Sequence, residues 1–132
     1  MSEPETAAWP KAITAITLFV EDLAACKQFY AAAFALPVIF ETEDSAVFKV
    51  GGVLVNLLLI TSAPELVHPA RVADAAAGVR QVITIAVPDV DAVCAQLASR
   101  GVKSLNGPMD RPWGVRTASF QDPAGHVWEI SA

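Results

Sequence analysis

The sequence predicts an α+β protein built from two similar β-α-β-β-β modules, with a cleft between them. Three observations carry this. Ile16-Thr17-Leu18-Phe19-Val20-Glu21-Asp22 and Ile83-Thr84-Ile85-Ala86-Val87-Pro88-Asp89 both follow I-T-φ-x-V-x-D, where φ is apolar, at an offset of 67 residues from Ile16 to Ile83. Gly52-Val53-Leu54-Val55-Asn56-Leu57 has an echo in Gly125-His126-Val127-Trp128-Glu129-Ile130, near the end of each half. Between these landmarks the apolar period passes from alternation to helical spacing and back, in both halves. A repeat of this size is one supersecondary unit that cannot bury its apolar face alone. The modules therefore share a core or pack on a second chain, and the cleft between them is the natural ligand site.

Taken in order, residues 1–11 read as a loose arm in which Trp9-Pro10 either packs or frays. Ile13 to Val20 alternates and is rich in β-branched residues, as a strand requires. Asp22 then caps a helix whose apolar stripe is Leu23, Cys26, Tyr30 and Ala33/Phe34, and Pro37 stops it. Val38 to Thr42 and Ala46 to Val50 read as strands around Glu43-Asp44-Ser45. Gly51-Gly52 turns the chain into a third strand, Val53 to Ile60. The first module thus spans 12–62. Residues 63–80, with Pro64, Pro69 and Gly78, form the inter-module connection, with a short helical piece around Val72 to Ala77. The second module, 81–132, opens with a strand over 82–87. Asp89 caps a helix with Val90, Val93/Cys94 and Leu97 inward and Gly101 at C′. Val102 to Leu105 reads as a short strand and Asn106 to Gly114 as a loop holding Pro108, Pro112 and Trp113. Val115 to Gln121 and His126 to Ser131 form a hairpin. Its turn, Asp122-Pro123-Ala124-Gly125, has Pro at i+1 and Gly at i+3, as a type I turn prefers.

At 132 residues the two modules make one compact domain. Hydrophobic residues are 54% of the chain and mean hydropathy is +0.45, high values that point to a large core plus an apolar pocket or subunit interface. The longest apolar stretch, Val50 to Ile60, falls well short of the roughly 20 residues a membrane span takes. Net charge is −5 and the nine basic residues are scattered, which excludes a nucleic-acid footprint. The N-terminus lacks the apolar run of a signal peptide, so the expected location is cytoplasmic. Cys26 and Cys94 fall in helices and read as buried reduced thiols, against a disulfide or a catalytic nucleophile.

With these residues in place, the chain resembles the vicinal-oxygen-chelate superfamily, which includes glyoxalase I, extradiol dioxygenases, fosfomycin-resistance enzymes and bleomycin-resistance proteins. The resemblance rests on the paired modules, the V-x-D helix start in each, and the ending Pro112-Trp113-Gly114…Arg116…Asp122-Pro123-Ala124-Gly125-His126-Val127-Trp128-Glu129. It covers about Ile13 to Ile130 and implies a curved mixed sheet enclosing a cleft. In metal-dependent members one ligand lies seven residues before the V-x-D Asp of each module and another in each module's last strand. Those places here are Ala15, Asn56, Val82 and Glu129. Only Glu129 has a side chain suited to a transition metal; the Asn56 amide is a poor ligand and the other two offer no donor, against the three protein ligands a catalytic metal takes. His68 lies in the connection, and His126 has the opposite strand parity from Glu129. The resemblance is therefore closest to the bleomycin-resistance type, with no metal and no cofactor expected. It also implies a homodimer, since dimers and strand-exchanged modules are common in that group.

Strand parity then gives the cleft lining. Ala15, Thr17 and Phe19 face it, with Leu54, Asn56 and Leu58 from the first module, and with Val82, Thr84, Ala86, Val127 and Glu129 from the second. An apolar pocket with two Thr, one Asn and one Glu suits a small apolar, planar or cationic molecule. Glu129 reads either as a ligand for a cation (or a general base), or as an ion-pair partner of Arg116 or Arg111. Asn56 either binds the guest or satisfies backbone. Trp113 is a lid or stacking face, or else plugs the core or a dimer seam. Arg116 binds an anionic group, or pairs with Asp110 or Asp122. Trp128 and Tyr30 read as packing. The expected activity is sequestration of a drug or metabolite. Its rivals are a lyase, isomerase or dioxygenase using an atypical metal site or Glu129 as base, and an interaction module with a filled cleft.

Overall fold

The computed structural model describes residues 8–132; residues 1–7 of the arm expected over 1–11 lie outside the described residues. The first module runs β1 (Ala15–Val20), α1 (Leu23–Phe34), β2 (Phe40–Glu41), β3 (Ser45–Val50) and β4 (Val53–Leu59). A connection with a one-turn helix α2 (Pro64–Val67) and a 3-10 turn (Ala75–Ala77) leads to β5 (Val82–Ala86), α3 (Val90–Ser99), β6 (Asn106–Asp110), β7 (Arg116–Gln121) and β8 (Val127–Ser131). The protein is α+β, with two four-stranded mixed sheets of the same topology, β1-β4-β3-β2 and β5-β8-β7-β6. In each, the first strand pairs parallel with the last.

The expected caps form. Asp22 accepts from the Ala25 N–H at 3.0 Å and Asp89 from the Ala92 N–H at 3.1 Å. Gly101 follows the α3 cap at φ 83°, a conformation that favours glycine. The Asp122–Gly125 turn closes with the Gly125 N–H on the Asp122 carbonyl at 3.0 Å.

Three elements differ from expectation. Of the strand read over Val38 to Thr42, only Phe40–Glu41 is a strand. Val102 to Leu105 is not a strand; the sixth strand lies in the segment read as a loop, Asn106–Asp110. Gly107 and Pro108 argue against a strand only in a sheet interior. Here β6 is an edge, and its register shifts between Asn106 and Met109 to accommodate them. A Cβ on Gly107 would lie 2.5 Å from the Thr117 carbonyl oxygen, so this close approach needs a glycine. Finally, the short helical piece expected around Val72 to Ala77 is a 3-10 turn at Ala75–Ala77, and the connection adds an unexpected helical turn at Pro64–Val67.

A single core joins the modules. Leu18 and Val20 of β1, Phe48 of β3 and Val55 and Leu57 of β4 are buried with Ala118, Phe120, Trp128 and Ile130 of the second sheet. Helix α1 lies between them. Tyr30 and Phe34, one turn apart, touch both sides: Tyr30 is 4.9 Å from the Phe48 ring and 5.8 Å from Trp128, and Phe34 is 5.0 Å from Trp128 and 6.0 Å from Phe120. At the centre is a buried polar network. The Tyr30 hydroxyl donates to Asp122 Oδ2 at 2.5 Å and accepts the Trp128 indole N–H at 2.8 Å. Asp122 Oδ1 accepts the N–H groups of Ala124 and His126. Each of these polar groups thus has a partner, which burial in an apolar core demands.

Candidate functional site: two outward sheet faces and a pocket under the connection

Alternation in the first and last strand of each module sends one residue in two into this core and the next to the opposite face. Leu18 and Val20 are buried, whereas Thr17 and Phe19 are half-buried; Val55 and Leu57 are buried, whereas Leu54, Asn56 and Leu58 are not. In the second sheet Val82, Thr84 and Ala86 are exposed, Val82 at 52%. Burial thus alternates as strand parity expects in β1, β4 and β5, whereas Val127, expected on the lining face, is buried. Because the core-side faces of both sheets meet around α1, the lining faces turn away from it, and one chain does not close them into a single cleft.

The repeat gives the two faces matching furniture. Parallel pairing sets Thr17 beside Asn56 in the first sheet and Thr84 beside Glu129 in the second. Thr84 donates to Glu129 Oε1 at 3.0 Å, so the carboxylate partner is a hydroxyl rather than Arg111 or Arg116. Asn56 Oδ1 is buried and has no hydrogen-bond partner among the described residues. An unpaired buried acceptor of this kind costs about 1–3 kcal/mol. The four positions that the resemblance implies for a metal offer one carboxylate and one amide, with Ala15 and Val82 on the adjoining strands. This donor set does not fit a transition-metal cofactor.

Trp113 lies outside these faces, in the β6–β7 loop, 70% exposed with the Arg111 guanidinium 6.0 Å from its ring centre. Arg116 is held by Asp91 of α3 through two hydrogen bonds of 2.7 and 2.9 Å and by Asp110 at 3.1 Å. Its hydrogen bonds to these carboxylates raise its pKa and lower that of Asp91. It clamps α3 to the β6–β7 hairpin.

A cavity of about 310 Å³ opens between the outward face of β1, the connection and the Asp122–Gly125 turn. Thr17 and Phe19 line it; Leu54, Asn56, Leu58, Thr84, Trp113, Arg116 and Glu129 do not. Beside it the His126 ring bonds across the module junction, its Nε2 lying 2.7 Å from the Phe19 carbonyl oxygen. A carbonyl only accepts, so Nε2 carries the proton. This contact was invisible in sequence, because strand parity says only that His126 turns from Glu129.

Neither thiol is poised as a nucleophile. Burial, with Asp122 nearby, pushes Cys26 up to about 12, and burial also raises Cys94. With a folded-state value above the unfolded 9.0, this thiol contributes stability below about pH 9 that is lost as the pH rises toward 12. Maleimide labelling at pH 8, followed by intact mass, is expected to modify half-buried Cys94 first and Cys26 only after unfolding in urea.

Comparison with known proteins places this architecture. Residues 12–130 match the model of the Glyoxalase/Bleomycin resistance protein/Dioxygenase superfamily. An uncharacterized protein of Bacillus subtilis (strain 168), YraH, is 32% identical over 119 residues, covering 87% of this chain and 93% of its own. A glyoxalase/bleomycin resistance protein/dioxygenase from Nocardioides superposes with a TM-score of 0.84 at 25% identity, over 96% of this chain and 85% of its own. A lactoylglutathione lyase from Agrobacterium tumefaciens superposes with a TM-score of 0.76 at 22% identity, over 92% of this chain and 93% of its own, and shares the fold. Two β-α-β-β-β modules around one aromatic core, matched from end to end by that family's pattern, make this chain a member of the glyoxalase/bleomycin resistance/dioxygenase superfamily.

Proposed function

We propose that the protein binds a small apolar, planar or cationic molecule without a metal, and sequesters it rather than transforming it. The observation that carries this reading is the unpartnered Asn56 Oδ1, a buried acceptor amid Leu54 and Leu58. A guest N–H or O–H would satisfy it, whereas a transition metal gains little from a neutral amide. The Glu129 carboxylate on the second face is a counterpart for a cationic group. Since one chain does not close the two faces on each other, the cleft is completed in a homodimer, the first sheet of one protomer facing the second sheet of its partner. An interface over these faces also accounts for exposed apolar residues such as Val82.

Sedimentation is expected to give twice the 13.9 kDa chain mass. Titration with planar and cationic aromatic compounds is expected to change Trp fluorescence. Asn56→Leu and Glu129→Gln should each weaken a responding compound by about tenfold. Stoichiometric transition metal in protein purified without chelator would defeat this reading in favour of an enzyme, and a monomer that answers no compound would defeat it outright.

A further inference from the structure

The pocket under the connection has a chemistry of its own. Its apolar wall is Phe19, Val67, Val72 and Val79. Two arginines, Arg71 and Arg80, line it, and neither forms an ion pair or side-chain hydrogen bond among the described residues. Two acidic residues, Glu21 and Asp74, line it as well. Glu21 Oε1 accepts the Ala75 N–H at 3.2 Å, pinning the connection to the first module, while Asp74 makes no capping bond to the 3-10 turn that follows it. The His126 imidazole, its Nε2 proton committed to the Phe19 carbonyl, leaves Nδ1 as an acceptor.

The formal charge of this lining sums to zero with both signs represented. A simple anion would meet the two carboxylates as well as the guanidinium groups, and a simple cation the reverse. A guest carrying both signs together with an apolar body has a partner in each kind of lining residue. The volume lies at the lower limit for small-molecule sites, which selects a metabolite rather than a drug-sized compound. We propose that this pocket binds a free α-amino acid with an aromatic or branched apolar side chain. The carboxylate lies toward Arg71 and Arg80, the ammonium toward Asp74 and Glu21, and the side chain against Phe19, Val72 and Val79. Every wall comes from one chain, so this site is complete in a single copy; it shares Thr17 and Phe19 of β1 with the dimeric cleft proposed above, but not Asn56, Thr84 or Glu129.

Calorimetric titration of the full chain with L-phenylalanine and L-leucine tests this. Saturable binding at one site per chain is expected. N-acetylphenylalanine, which lacks the ammonium, and phenylalanine amide, which lacks the carboxylate, should each bind about tenfold more weakly or worse. Arg71→Ala and Arg80→Ala change exposed side chains of the connection, so the fold persists, and each should cost a similar factor. Absence of saturable binding at millimolar amino acid would overturn the proposal, as would equal binding of the singly charged analogues or affinities unmoved by both arginine variants. The two sites fail separately. Loss of amino-acid binding with the fluorescence response to planar compounds intact removes only the pocket, and the converse removes only the cleft.

Discussion

Asp122→Ala is expected to lower the unfolding free energy by about 3–5 kcal/mol, read as a fall in the urea midpoint at unchanged slope. Asp122 is only 4% exposed, and its two oxygens receive three donors: the Tyr30 hydroxyl and the N–H groups of Ala124 and His126. Alanine leaves all three short of an acceptor, two of them in the turn that carries the last hairpin. Asp122→Asn keeps one oxygen and most of the shape, so its loss should be smaller. Tyr30→Phe removes the hydroxyl that joins Asp122 to the Trp128 indole N–H. In a double-mutant cycle, Asp122→Ala and Tyr30→Phe should couple by about 0.5–3 kcal/mol. Strict additivity would mean the network is geometric coincidence.

Trp128→Ala should be comparably severe, about 3–5 kcal/mol. The ring is 1% exposed and lies among Tyr30 and Phe34 of the first module while its strand belongs to the second. Its removal leaves a cavity at the junction rather than within one module. The whole chain is therefore expected to lose stability together, in one transition detected alike by circular dichroism and fluorescence of the remaining tryptophans. Hydrogen exchange that left β1, β3 and β4 fully protected in this variant would contradict a shared core.

Much of this molecule is written locally. The I-T-φ-x-V-x-D repeat identifies two first strands, and the Asp22 and Asp89 caps follow from it because an Asp before an apolar helical stripe has one economical use. Parity correctly separates Leu18 from Thr17 and Leu57 from Asn56, since side chains in a strand must alternate. The sixth strand was misplaced because Gly107 and Pro108 lower strand propensity everywhere, yet are tolerated at an edge, and edge position is a property of the assembled sheet. The side-chain partners of Asp122 and Glu129 were missed for the same reason. Asp122 reads as a turn former, and nothing near it in sequence announces Tyr30, ninety-two positions away. The relation between the modules is likewise global. The repeat says which residues share a face, but only the aromatic stripe of α1, touching Phe48 on one side and Trp128 on the other, decides which faces meet. The connection pocket has no signature in the sequence because its walls are drawn from three separate parts of the chain that no period links.

The division of labour between the two sides of each sheet has an evolutionary corollary. What holds the chain together is gathered on one side, and what a guest would meet is displayed on the other, at Thr17, Asn56, Thr84 and Glu129. On the binding proposed above, substitution at those positions would change what the molecule recognises while leaving the shared aromatic core in place. Such a scaffold can drift from one chemical clientele to the next in small, individually viable steps.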